Sequence, residues 1–177
     1  MVNGVHLLLL RIYRRLPTGL RRFLIRALSP SFTVGAICVI ERDDGAVLLV
    51  RQVYRARWGL PGGLLKRRED AAVAVRREVL EEVGVEIDLC GEPTPVVEAR
   101  PQRVDLVYAA RLADPDGPAP APRSPEILDA RWFPRDGLPE LQHETASALV
   151  ALARSSRTPR ASFVAPSPPI DPARDHA

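Results

Sequence analysis

Three glutamates, Glu78, Glu81 and Glu82, fall at i, i+3 and i+4. On a helix those positions share one face. Like charges so close repel one another and weaken an isolated helix. A hard divalent cation with oxygen ligands, Mg²⁺ or Mn²⁺, would offset that repulsion. Such a cation polarises phosphoryl oxygens, lowers the pKa of a bound water and orients its attack, so the triplet points to phosphate chemistry. Three glutamates on their own are more often a solvated helix face. The residues around them decide between the two readings.

The flanking sequence supplies the parts that a site needs. Upstream runs Trp58-Gly59-Leu60-Pro61-Gly62-Gly63. The glycine pair permits a sharp turn and close backbone approach, and the Gly62 carbonyl is a candidate to face the glutamates across the helix start. Asp70 is placed as an N-cap and Gly84 as the residue just past the helix end. Between them Val75, Val79 and Val83 recur at i, i+4 and i+8, an apolar stripe beside the glutamate face.

Taken whole, Gly63 to Val85 resembles the Nudix box. That pattern is Gly, five residues, Glu, seven residues, Arg-Glu, an apolar residue, any residue, Glu-Glu, any residue, Gly and an apolar residue. Gly63, Glu69, Arg77, Glu78, Val79, Glu81, Glu82, Gly84 and Val85 meet it at every constrained position. A chance match in a chain of average composition has a probability on the order of 10⁻⁷. More loosely, the resemblance runs from about Phe32 to about Arg154.

The resemblance implies an α/β protein. Its fold would be a Nudix-type α/β/α sandwich with a mixed β-sheet, here preceded by short amphipathic helices. It implies hydrolysis of a nucleoside diphosphate linked to another group, by attack of water on phosphorus. Glu81 and Glu82 are then the surest metal ligands, Glu78 is a ligand or proton acceptor, and Arg77 and Glu69 orient them. Nudix proteins often supply a late glutamate as ligand or base. Glu126 is the candidate here, with Glu98 and Asp105 as competitors. A proline about sixteen residues past the box is associated with ADP-ribose-type substrates, and Pro101 stands at that distance from Val85. Trp58 either contacts a base or packs in the core, and Arg51, Arg55 and Arg57 are placed to bind phosphate or are surface charges. Two rival functions share the site: pyrophosphohydrolysis of oxidised nucleoside triphosphates, and a sensor that binds a nucleotide sugar without cleaving it. Either way the partner is a small nucleotide.

Three zones organise the chain: residues 1–31, a body over 32–154, and a tail over 155–177. The first has apolar residues at helical spacing in two runs, Val5 to Leu16 and Leu20 to Leu28, parted by Pro17 and Gly19. Packing against the domain or a second copy is the plainer reading of these helices. Contact with an anionic membrane surface is the sharper one. In the body, Phe32–Ile40 and Ala46–Arg51 read as strands joined by the turn Arg42–Gly45, a hairpin signal. Further strands are expected at Val85–Leu89, Arg103–Leu112 and Ile127–Phe133, and a last helix at Thr145–Ala153. The proline-dense loop Asp114–Pro125 reads as mobile and the proline-rich tail as disordered.

Charge is unevenly spread. Residues 1–40 hold six arginines and no acid, which leaves 19 basic and 22 acidic residues beyond them. The mildly acidic body argues against specific nucleic-acid binding. Two cysteines, Cys38 and Cys90, make no disulfide framework, and a reducing, cytoplasmic setting is expected. The Leu7–Leu10 run is far short of a membrane span, and its arginines follow it rather than precede it as in a signal peptide.

Overall fold

The structure, a computed structural model, describes residue 11 and residues 13–157. Most of the first amphipathic run and the tail from residue 158 lie outside the described residues. The elements in chain order are α1 (Thr18–Leu28), β1 (Thr33–Ile40), β2 (Val47–Gln52), β3 (Gly62–Leu64) and α2 (Ala71–Val83). They continue with β4 (Ile87–Leu89), β5 (Thr94–Glu98), β6 (Arg103–Leu112), β7 (Ile127–Phe133) and α3 (His143–Arg157).

β1 is apolar on both faces because both are covered, as expected of a central strand with a parallel neighbour. It pairs in parallel with β6, from Thr33 opposite Arg103 to Ile40 opposite Ala110. On its other edge it pairs antiparallel with β3. β4 and β5 share the second edge of β6, and β2 and β7 form a separate antiparallel pair. On one side of the sheets Ala36, Cys38, Ile40, Leu48 and Val50 meet the valine stripe of α2, with Val75, Val79 and Val83 all buried. On the other, Ile37, Val39, Val47, Leu49 and Val107 meet Ala148, Leu149 and Leu152 of α3. The result is a mixed sheet between helices, the α/β/α sandwich expected. Cys38 is fully buried, and burial pushes its thiol pKa up, as for a small hydrophobe.

Three expectations need correction. First, the turn at Arg42–Gly45 forms, with Arg42 N–H donating to the Ala46 carbonyl at 2.9 Å, but no hairpin follows. Both edges of β1 are already taken by β6 and β3, so β2 leaves after one bridge, Glu41 to Val47, and pairs with β7. Second, α1 joins neither core cluster: it has no buried residue, and only Arg21 and Leu24 are half-buried. Third, the loop Asp114–Pro125 is tied down. Ala121 and Arg123 donate their N–H groups to the carbonyls of Val83 and Glu82, at 3.1 and 2.9 Å. Those carbonyls belong to the last turn of α2 and have no partner within the helix.

Candidate active site

The site begins at β3. Gly62 adopts φ 137°, and a Cβ there would lie 2.3 Å from the Ala36 carbonyl oxygen and 2.7 Å from Ile37 Cα. Only glycine lets β3 lie this close to β1 with that backbone. A Cβ on Gly63 would fall 2.6 Å from the Glu78 carboxyl carbon, so the second glycine leaves room for a glutamate of α2.

α2 then presents its carboxylates to this bare backbone. Its start is fixed by Asp70, which accepts from the N–H groups of Ala72 and Val73 at 2.9 and 3.3 Å. Its end is fixed by Gly84 at φ 72°. Glu82 is buried and accepts from Gly62 N–H at 2.9 Å. Burial, then the charges of Glu78, Glu126 and Glu81, push its pKa up to about 7, although the Gly62 N–H opposes this. Glu78 is half-buried, and Glu81 is the most exposed of the three.

Arg77 organises the outer part. Its Nε and Nη2 donate to the two carboxylate oxygens of Glu69 at 2.7 and 3.0 Å, a bidentate fork. Its Nη1 donates to Glu78 at 2.7 Å and to Glu81 at 3.2 Å. Glu69 also accepts from Lys66 N–H at 2.7 Å. The Arg77 bonds are the main cause that holds its pKa down, at about 2, and the same fork raises the Arg77 pKa. One arginine therefore fixes the loop before α2 and steers two of the three helix carboxylates.

Among the described residues no three carboxylates close around a single point. Arg77 and the Gly62 N–H hold them instead. The donor set nevertheless suits a hard divalent cation. Glu82 is buried where three further carboxylates raise the cost of its charge, and a cation removes that cost.

Of the three candidates for a late carboxylate, only Glu126 stands with the others. Its charge acts on Glu82. Its N–H donates to Ser124 Oγ at 3.2 Å, and its carbonyl accepts from Val53 N–H at 2.9 Å. Asp105 alternates with Val107 on the α3 side of β6, where Arg103 holds it at 2.8 Å. Glu98 also faces α3, with His143 Nε2 3.9 Å away. Trp58 packs in the α3-side core, its ring 4.8 Å from that of Phe133. The guanidiniums of Arg51 and Arg131 lie 5.4 and 5.9 Å from its centroid, and Asp129 pairs with both. Arg55 donates to Glu144 of α3 at 2.7 Å, Arg57 lies 3.5 Å from Glu140, and Pro101 is exposed in the turn between β5 and β6. The structure thus gathers Gly62, Glu69, Arg77, Glu78, Glu81, Glu82 and Glu126. It sets Arg51 and Trp58 in the opposite layer and pairs Arg55 with α3.

Sequence reasoning passed over Tyr54. It lies exposed in the loop after β2, and partial burial, then the charge of Glu126, raise its phenol pKa. The available signal was its place among Arg51, Arg55 and Arg57, which drew attention to the charges alone.

The NUDIX domain family model matches residues 31–153. The chain belongs to the Nudix family. This Nudix chain is 33% identical over 113 residues to the 8-oxo-dGDP phosphatase of Homo sapiens, covering 61% of this chain and 33% of that protein. It is 33% identical over 119 residues to the CMP-5′-(N-acetyl-N-hydroxy-3-aminopropyl)phosphonate hydrolase of Streptomyces rubellomurinus, covering 60% and 54%. Among solved structures it resembles a MutT NUDIX hydrolase from Burkholderia pseudomallei, with 30% identity and a TM-score of 0.58. That likeness covers 70% of this chain and 99% of that one. The chain spans about a third to a half of the curated relatives it matches.

Proposed function

We propose that this chain is a divalent-metal-dependent pyrophosphohydrolase. It cleaves the phosphoric anhydride of a nucleoside diphosphate linked to another group. The observation that carries the reading is Glu82: a buried carboxyl, crowded by Glu78, Glu81 and Glu126, beside a glycine pair that clears the approach. Glu78, Glu81, Glu82 and the Gly62 carbonyl would hold Mg²⁺ or Mn²⁺. When bound, the ion supplies charge neutralisation at the phosphates and a more acidic water. Arg77 keeps Glu78 and Glu81 oriented through its bonds to them and to Glu69. Glu126, close by and exposed, is the candidate to take the proton of the attacking water.

ADP-ribose and ADP-sugars are the first substrates to test, from the resemblance at Pro101. Oxidised nucleotides are the second reading, supported by likeness to an 8-oxo-dGDP phosphatase. A screen of ADP-sugars, dinucleoside polyphosphates, coenzyme A and normal and 8-oxo nucleotides, with and without Mg²⁺, separates them. AMP plus a sugar phosphate supports the first, and preference for the 8-oxo form over the normal nucleotide supports the second. Tight nucleotide-sugar binding without turnover would contradict both and indicate a sensor.

A further inference from the structure

α1 is an amphipathic helix that the described domain leaves uncovered. Leu20, Phe23, Leu24, Ala27 and Leu28 recur at i, i+3, i+4, i+7 and i+8, a continuous apolar stripe. Arg22 and Arg26 lie away from it and are exposed, while Arg21 flanks it, half-buried, with its guanidinium 6.0 Å from the Tyr13 ring centroid. Such a stripe ordinarily faces a core. Here Phe23 is 66% exposed and Leu28 82% exposed, and no residue of the helix is buried.

The charge around the stripe restricts what can cover it. Residues 1–40 carry six arginines and no acid. Pairing with α1 of a second copy would cover the stripe and leave the arginines, which lie off it, without an acidic partner in either segment. A nucleic acid would satisfy the arginines and leave the stripe in water. A bilayer with anionic headgroups offers both partners at once: phosphates for the arginines and an acyl boundary for Leu20, Phe23, Leu24 and Leu28.

We propose that α1 docks the enzyme reversibly on an anionic lipid surface, lying in the interface plane. None of the described helices is long and apolar enough to cross a membrane, so the contact is peripheral. This inference does not depend on the substrate or on the catalytic reading.

The test is co-sedimentation of the full chain with vesicles of equal parts phosphatidylglycerol and phosphatidylcholine, against pure phosphatidylcholine. Binding is expected only to the anionic vesicles, and 1 M salt should release much of it. One arginine near such a surface is worth about fivefold in partitioning, so Arg21→Gln with Arg22→Gln and Arg26→Gln should weaken binding on the order of 100-fold. Phe23→Ser with Leu28→Ser should weaken it comparably while turnover is unchanged. Three results would overturn the proposal: no binding to either vesicle, equal binding to both, or a dimer that Phe23→Ser and Leu28→Ser convert to monomer while vesicle binding persists.

Discussion

Each glutamate of α2 has a different environment, and each environment sets a different expectation. Glu82 has a pKa of about 7, above its ordinary 4.5. A group raised in this way adds stability below its unfolded pKa, and the contribution is lost as pH rises through the folded value. The metal-free protein should therefore lose on the order of 3 kcal/mol between about pH 4.5 and 8 from this group. Urea melts in EDTA would show this, and Glu82→Gln should flatten the profile. Glu69 behaves oppositely. Its fork to Arg77 should fail as pH falls from about 4.5 towards 2. Arg77→Lys keeps the charge and loses the fork, so turnover at limiting Mg²⁺ should drop about 10- to 100-fold, measured by metal titration of the initial rate. The carboxylate set and its arginine were legible in the sequence because their chemistry needs fixed helical spacing. Glu126 was legible only as one of three, because a strand and a loop impose no spacing relative to α2. Tyr54 was overlooked because Arg51, Arg55 and Arg57 around it drew the reading to charge, whereas Glu126, which acts on its phenol, is distant in sequence.

The elements hold the site by backbone geometry more than by side-chain bonds. Gly62→Ala would press a methyl into backbone atoms of β1 that cannot yield, and should cost at least about 2–3 kcal/mol in a urea melt. Asp70→Ala removes the N-cap of α2 and should cost about 1 kcal/mol. The docked loop joins the two ends of the site. Through Ala121 and Arg123 it satisfies the last carbonyls of α2, and three residues after Arg123 it delivers Glu126. Its five prolines suggested mobility, yet few backbone N–H groups are then left, and two of them bond the helix end. Strands β6 and β7 and helix α2 were foreseeable from long apolar or periodic runs. β3 and β5 were not foreseen: Gly62-Gly63 permits a sharp turn, and Pro93 and Pro95 flank Thr94 where prolines are poor strand formers. Pro95 is tolerated because β5 is an edge strand paired only with β6.

At the scale of the whole molecule, the chain divides by charge as well as by structure. The body carries the crowded carboxylates, while α1, in the basic segment ahead of it, has no buried residue. Deletion of residues 1–28 should leave the unfolding free energy within about 0.5 kcal/mol and turnover on soluble substrates unchanged. The expectation that α1 packs on the domain is not met, because a stripe that includes Phe23 is left in solvent. The family match over residues 31–153 coincides with the part that has a core.

The most direct test of the central claim is Mg²⁺-dependent turnover of wild type and Glu82→Gln on the best substrate of the screen, with thermal melts of both, with and without the metal. A carboxyl that holds the catalytic metal predicts at least a ~1000-fold loss of turnover in Glu82→Gln. It also predicts a metal-free melting temperature equal to or above that of wild type, and loss of the stabilisation that Mg²⁺ gives wild type, about 2.7 kcal/mol at a hundred times its Kd. Turnover at the wild-type level in Glu82→Gln, or turnover in wild type that survives EDTA, would contradict it.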